Sequence, residues 1–326
     1  MSGKSQRCLV LGVNGQDGSY IANHLLVRKC LVWGVGRQPT SKWVGPNKRF
    51  TYNSLDLTNI ADLTALMRAI DPHRIFHFAA IHGAAGYEYE EHWYEAHLVN
   101  TLATHAILEH IRRSNKEGVL IYASSSKAFG HAPPTHTSEL CVRKSQCIYS
   151  ITKNAATDLI QYYRSRHGVL ASVVWLFNHE SPRRASSYFI PHIVNILANS
   201  ILDSNHQGSI DSLSFWGDWG DANEYMRLVV DIAEKAPGND FILASGATLW
   251  ARQFVERLFL RYGLDAANHV IPRATSPKTK PKRWRADISR LSQMLGSTPR
   301  VRIQDVCDEI LRLNHPTSWA ARALAV

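Results

Sequence analysis

The chain is short of cysteine, of acidic residues and of long apolar runs, and each shortage excludes a class of protein. Its five cysteines (Cys8, Cys30, Cys141, Cys147 and Cys307) are scattered, odd in number and form no CxxC. That argues against a disulfide scaffold and a structural zinc site, so no metal is expected and the compartment reads as a reducing cytoplasm. No segment reaches the ~18 uninterrupted apolar residues of a membrane span, so no membrane partner is expected. The stretch from Met1 to Arg7 leads into an apolar run of about four residues, too short for a signal-peptide core. There is no internal repeat and no low-complexity tract. Asp and Glu number 27 against 37 Lys and Arg, a formal charge of +10. Such a balance points to anionic partners, either nucleic acid or phosphorylated small molecules. No zinc finger, aromatic RNA-binding signature or long basic helix accompanies it, which disfavours nucleic acid. The densest basic stretch, Lys278-Thr-Lys280-Pro-Lys282-Arg283-Trp-Arg285, reads as a solvated loop or as an anion site at an active-site mouth.

What is present is an ordinary globular composition, 45% apolar and 20% charged over 326 residues, enough for one large domain or two fused lobes. Strand signals at residues 8–11, 30–35, 50–57, 74–79, 118–123 and 169–175 alternate with helical spacing after the first strand and at 62–70, 99–113 and 149–167. This alternation predicts an α/β fold, a Rossmann-like doubly wound parallel sheet with helices on both faces. Beyond about residue 180 the pattern loosens into short helices at 191–202, 222–236, 251–262 and 303–313. The expected division is 1–180, a dinucleotide-binding domain carrying the catalytic residues, and 181–326, a smaller mixed substrate-binding lobe whose last helical part packs back on the core.

The first strand runs into Gly12-Val-Asn14-Gly15-Gln16-Asp17-Gly18 and then at once into a helix. Glycines there allow a tight turn and close backbone approach, and the helix N-terminus offers free N–H groups to a pyrophosphate. The second strand ends at Arg37, with no acid until Asp56. An acid at that place would hold a ribose 2′-hydroxyl, whereas arginine suits a 2′-phosphate, so NADP is favoured over NAD. Tyr149 and Lys153 are four apart at the start of a predicted helix and share one face. A cationic lysine beside a phenol stabilises the phenolate and lowers the tyrosine from its usual ~10. Such a tyrosine can take a proton from a sugar hydroxyl while hydride leaves. Upstream, Ser124, Ser125 and Ser126 end the fifth strand, where a hydroxyl can meet the reacting oxygen.

The order GxxGxxG, Asp56-Leu57, Ala79-Ala80, Asn100, a serine-rich turn ending at Gly130 and then YxxxK resembles the extended short-chain dehydrogenase/reductases, which act on nucleotide sugars. Gly15-Gln-Asp-Gly18-Ser-Tyr20, Leu176-Phe-Asn-His-Glu-Ser-Pro-Arg-Arg184, Asp218-Trp-Gly220 with Tyr225, and Phe241-Ile-Leu-Ala-Ser-Gly246 narrow the likeness to the GDP-mannose 4,6-dehydratases, over about residues 7 to 313. The resemblance implies that Gly12, Asn14, Gly15, Gln16, Asp17, Gly18, Arg37, Asp56, Leu57, Ala79, Ala80, Asn100, Tyr149 and Lys153 hold the cofactor. It implies that Ser125, Tyr149 and Lys153 are catalytic, and that His82, Ser124, Ser126, Lys127, Asn178 and Arg184 meet the substrate. It also implies a homodimer or homotetramer.

The chain departs from that family at one decisive place. The dehydratases carry Thr-Ser-Glu-Leu-Tyr-Gly after the fifth strand, and their glutamate removes the proton beside the 4-keto group. Here the run is Ser125-Ser-Lys127-Ala-Phe-Gly130, so a cation replaces the base. His192, Gly217 and Ser276 stand near family basic residues, and Lys278, Lys280 and Lys282 are candidate replacements. His77, His82 and His179 read as hydrogen-bonded wall residues, with His82 the one candidate for a substitute base. The favoured reading is an NADP-dependent enzyme acting at C4 of a nucleotide sugar, by keto reduction or epimerisation. The alternatives are a 4,6-dehydratase with another base and a non-catalytic binding homologue.

Overall fold

The structure, a computed structural model, describes residues 5–83, 86–114, 117–130, 133–274 and 281–322. Ser276, Lys278 and Lys280 lie outside the described residues. Strand β1 (Arg7–Leu11) shows how the centre forms. Leu9 and Leu11 pack into one apolar cluster and Cys8 and Val10 into another, all fully buried. Successive strand side chains point to opposite faces, so a strand apolar at every position must be covered on both sides.

β1 lies in a seven-stranded sheet with β2 (Leu31–Gly36), β3 (Phe50–Ser54), β4 (Arg74–His77), β5 (Val119–Ser125), β6 (Leu170–Leu176) and β7 (Phe241–Leu243). The order is β7-β6-β5-β4-β1-β2-β3 and every neighbouring pair is parallel. The chain reverses direction across the sheet between β1 and β4, and sheets of this kind open a crevice at that switch point. Helices α2 (Ile60–Ile70), α3 (Ala103–Ser114) and α4 (Ile148–His167) cover one face through Leu63, Met67, Ile107 and Ile160. Helices α1 (Gln16–Val27) and α6 (Ala222–Lys235) cover the other through Ile21, Leu25, Met226 and Val229.

Two features differ from the sequence reading. First, β7 and α6 come from beyond residue 180, so the 181–326 stretch is divided in space between the sheet and a separate core. That smaller core joins α5 (Phe189–Leu202) to the helices Ala251–Leu260 and Ile303–Asn314 through Ile193, Leu197, Phe254, Leu258 and Ile310. Second, the helix expected over 99–113 begins as a π-helical segment, His97–Leu102, before α3. The wide turn leaves the Asn100 carbonyl free to accept from the Tyr122 hydroxyl at 3.1 Å and the Thr104 hydroxyl at 2.9 Å. No described helix is long and apolar enough to cross a membrane.

Candidate active site

The glycine turn is built by close packing. Gly12 has φ +89°, and a Cβ there would lie 2.7 Å from the Ala79 backbone nitrogen. A Cβ on Gly18 would lie 2.3 Å from the Gly12 carbonyl oxygen. Both contacts are with backbone, so neither can be relieved by a side-chain shift. Behind the turn opens a groove of about 330 Å³, lined by Gly12, Asn14, Gly15, Arg37, Asp56, Leu57, Ala79 and Ala80 among others. These eight are among the residues assigned from the sequence to a dinucleotide; Gln16, Asp17, Gly18, Asn100, Tyr149 and Lys153 do not line this groove. Arg37 is exposed at the groove edge, just past β2. Asp56 turns one carboxylate oxygen inward, accepting from the Thr58 backbone N–H and hydroxyl at 2.9 Å each.

Other members of the expected cofactor set have structural partners. Asn14 Nδ2 donates to Thr40 O at 2.9 Å and its Oδ1 accepts from Lys42 N at 2.9 Å, fastening the turn to the loop after β2. Gln16 donates to His179 O at 3.2 Å and accepts from the Ser181 hydroxyl at 2.8 Å. Asp17 Oδ1 lies 2.9 Å from His179 Nε2. Burial alone would raise Asp17, but the neighbouring His179 and Arg184 hold it down at about 2. Burial likewise opposes charge on His179, and Asp17 outweighs it, so the imidazole is raised above its ordinary value. Arg183 adds a 2.7 Å bond to the Ser19 hydroxyl. The start of α1 is thus clamped to the 179–183 segment. Asn100 is fully buried, accepting from Ile81 N at 3.2 Å and donating to the Thr152 hydroxyl at 3.0 Å, next to Lys153.

Ser125, Tyr149 and Lys153 converge beyond the groove. Tyr149 is buried and hydrogen-bonded to the Ser125 side chain. Lys153 is 1% exposed and donates to Ala123 O at 2.7 Å, its Nζ 5.7 Å from the Tyr149 ring centre. The electrostatics differ from expectation. Burial raises Tyr149 above its ordinary value, and the Ser125 hydrogen bond offsets only part of this. Burial draws Lys153 down to about 7, so in the ligand-free protein it is only partly cationic and the phenol stays protonated. Ser124, on β5, keeps its hydroxyl buried without a hydrogen-bond partner among the described residues, and Ser126 opens the short turn Ser126–Phe129.

A ring stack covers Tyr149. The His82 imidazole lies 4.4 Å from the Tyr149 ring centre and its Nδ1 is 2.7 Å from the Tyr89 hydroxyl. Burial and the charges of Lys127 and Arg184 push His82 down to about 3. A ring that holds its proton so poorly is a weak base, which argues against His82 as the substitute for the missing glutamate. His77 is a wall residue, fully buried and bonded to Val99 O at 3.0 Å. Lys127 reaches the Tyr89 hydroxyl at 3.4 Å and forms no ion pair among the described residues. Partial burial draws its pKa below that of ordinary lysine.

Next to this stack opens a second cavity of about 640 Å³, lined by His82, Lys127, Asn178, Glu180, Arg184, Tyr188, His192, Ser209, Asp211, Trp219 and Arg273 among others. Asn178, His179 and Glu180 form a short strand paired with Trp219–Asp221. Glu180, Tyr188 and Arg273 are cavity residues that sequence spacing does not single out. Glu180 is 3% exposed, and burial raises its carboxyl to about 7 despite Arg184 and His179 nearby. Tyr188 carries the Arg184 guanidinium 3.6 Å above its ring centre. Arg273 bonds the Ser209 hydroxyl at 2.8 Å and stands 3.5 Å from Asp211. The absent arginine at Gly217 has a packing cause, since a Cβ there would lie 2.3 Å from the Trp219 indole. His192 bonds Ser209 O at 2.9 Å. The sequence signal for Glu180 is its place in the Leu176–Arg184 run.

Comparison with known proteins agrees with this geometry. The chain is 28% identical to a GDP-mannose 4,6-dehydratase of Vibrio cholerae over 351 aligned positions, covering 94% of this chain and 93% of that one. Among solved structures it superposes with TM-score 0.81 on a UDP-N-acetylglucosamine 4-epimerase from Methanobrevibacter ruminantium, at 19% identity, covering 97% of this chain and all of the other. A dTDP-glucose 4,6-dehydratase from Bacillus anthracis, solved with NAD, gives TM-score 0.79 at 14% identity, covering 98% of this chain. At such identities the superpositions show the fold alone. The GDP-mannose 4,6-dehydratase family profile matches residues 9–310, most of the chain and both cavities. The chain belongs to the GDP-mannose 4,6-dehydratase family.

Proposed function

We propose that the protein is an NADP-dependent enzyme acting at C4 of a nucleotide-linked hexose, as a 4-keto reductase or a 4-epimerase. The observation that carries this reading is the pairing of an intact Ser125–Tyr149–Lys153 set with a lysine in the place of the family's carboxylate base. The groove fits a dinucleotide: a backbone cradle that no Cβ could enter, a helix start beneath it and a long apolar floor. Gly12, Gly15, Ala79 and Ala80 would hold the dinucleotide, and Arg37 would meet a 2′-phosphate. When bound, a nicotinamide accepts or supplies the hydride at C4. Tyr149 then takes or returns the proton on the C4 oxygen, and Ser125 fixes that oxygen by a second hydrogen bond. Lys153 is fully buried beside the phenol, with burial opposing its charge and Asp17 favouring it.

Lys127 supports redox chemistry over elimination. A carboxylate base contributes ~10²–10⁴-fold, and an ammonium at that place cannot supply it. Nucleotide hexoses and their 4-keto forms are incubated with NADP or NADPH and the products weighed by mass spectrometry. Gain of two hydrogens means reduction, and unchanged mass with a shifted retention time means epimerisation. Loss of water from GDP-mannose at rates typical of an efficient enzyme overturns the reading. Lys127→Glu is expected to move the site toward loss of water. Calorimetry tests the cofactor: NADP is expected to bind more tightly than NAD, and Arg37→Asp to reverse the order.

A further inference from the structure

The geometry points to Glu180 as a second catalytic group, one that removes and returns the proton on a carbon beside the C4 carbonyl of the bound sugar. The inference rests on the C4 reading above and extends it. Glu180 is 3% exposed, and it lines the same cavity as Lys127, Asn178, Arg184 and Tyr188. Its Oε2 is buried with no hydrogen-bond partner among the described residues. The Arg184 Nε stands 3.8 Å away, too far for a hydrogen bond, and is itself without one. Two opposed polar atoms left unsatisfied at one wall of a cavity are costly unless a ligand completes them. The backbone of Glu180 is fixed by its pairing with Asp221 in the parallel ladder 178–180 with 219–221. His82, which stacks on Tyr149, lines this same cavity, so Glu180 shares a cavity with the ring that covers the phenol.

The chemistry balances within the site. A carbonyl at C4 acidifies the C–H bonds at C3 and C5. The Glu180 carboxylate takes one such proton from a 4-keto-6-deoxy sugar, which has no C6 hydroxyl to expel, and the C–H electron pair moves into an enolate whose oxygen is held by Tyr149 and Ser125. Return of the proton from Glu180 to carbon restores the ketone, and exchange of that proton with solvent labels the sugar. Burial is the main influence that raises its titration to near neutrality, where it serves as both acceptor and donor; the titratable groups around it are Arg184, His179, Asp17, Tyr188 and Cys307.

The test uses the whole protein with NADP in deuterated water and GDP-4-keto-6-deoxymannose as the probe. Deuterium at C3 and C5 is followed by NMR, and reduction of the same sugar by NADPH is followed separately. Native protein is expected to catalyse exchange, with a rate that rises with pH through about 7. Glu180→Gln is expected to lower exchange at least ~100-fold more than it lowers reduction and to abolish that pH step. Glu180→Asp, which keeps a carboxylate, is expected to recover part of the exchange. The inference is overturned by a native protein that exchanges nothing, by a Glu180→Gln variant that exchanges normally, or by equal loss of exchange and reduction in both variants. Failure of the C4 reading looks different: exchange persists while neither NADPH oxidation nor epimerisation occurs.

Discussion

Lys153 shows how burial and charge compete at one residue. Its amine is sealed under β5, bonded to Ala123 O, and its folded pKa falls to about 7. Unfolded, a lysine titrates near ~10.4. Between those values the native state has released a proton that the unfolded chain keeps, so stability rises with pH there. The contribution is whole above the unfolded value and is lost as pH falls through about 7. Lys153→Met deletes the ammonium and keeps most of the volume. Its melting temperature is therefore expected to gain on that of the native protein as pH is lowered from about 10 to about 6.5, a range set by those two pKa values. A gap that stays constant across this range would show that the lysine is solvated as in water. Tyr149→Phe asks a different question, because it removes only an oxygen. Turnover is expected to fall at least ~100-fold while the melting temperature stays within a few degrees, as steady-state kinetics and calorimetry on one preparation would show. Retention of most activity would place the proton carrier elsewhere.

At the scale of elements, the glycine turn and the last strand carry opposite lessons. Gly18→Ala forces a methyl into the Gly12 carbonyl, 2.3 Å away, at the first turn of α1. Overpacking against fixed backbone costs about 1–3 kcal/mol, so denaturant unfolding is expected to shift by that amount and dinucleotide affinity to fall with it. β7 depends on side chains as well as its ladder. Asp240, just before it, takes two 2.7 Å bonds from Arg164 on α4 and a 3.0 Å bond from Val173 N. Asp240→Ala strands both donors, and the expected loss is about 1.5–3 kcal/mol in chemical denaturation. The glycine turn was legible because GxxGxxG states its own geometry. So were the strands of the first half and α4, whose periods run long enough to count, and the groove-lining residues that follow them. β7 was not, since three consecutive apolar residues cannot show a period of two, and what places them is pairing with β6, far away in sequence. The π-helical segment before α3 was equally silent, because its apolar spacing matches an ordinary helix. Lys153 as a partly neutral amine and Glu180 as a buried acid with one oxygen lacking a hydrogen bond depend on burial, which spacing does not report.

At the scale of the whole molecule, a formal charge of +10 surrounds a cleft lined in part by Lys127, Arg184 and Arg273. A nucleotide diphosphate approaching such a surface is attracted over roughly a Debye length, ~10 Å at 0.1 M salt. For a nucleotide-sugar substrate, kcat/KM is expected to fall severalfold between low and high salt while kcat changes little, a split that kinetics at several ionic strengths would check. Equal salt effects on both would mean that the charge does not guide encounter.

The clamp between the start of α1 and the 179–183 segment has a consequence for the order of events. Gln16, Asp17 and Ser19 belong to the start of α1 beside the first groove, and their partners His179, Ser181 and Arg183 are interspersed with Asn178, Glu180 and Arg184, which line the second cavity. One body therefore lies between both cavities, and a ligand that settles it from one side would settle it for a ligand on the other. By reciprocity, the factor by which a dinucleotide tightens a sugar equals the factor by which the sugar tightens the dinucleotide. Loosening the clamp, as with His179→Ala, would leave two sites that fill independently, turning an ordered partnership into a random one.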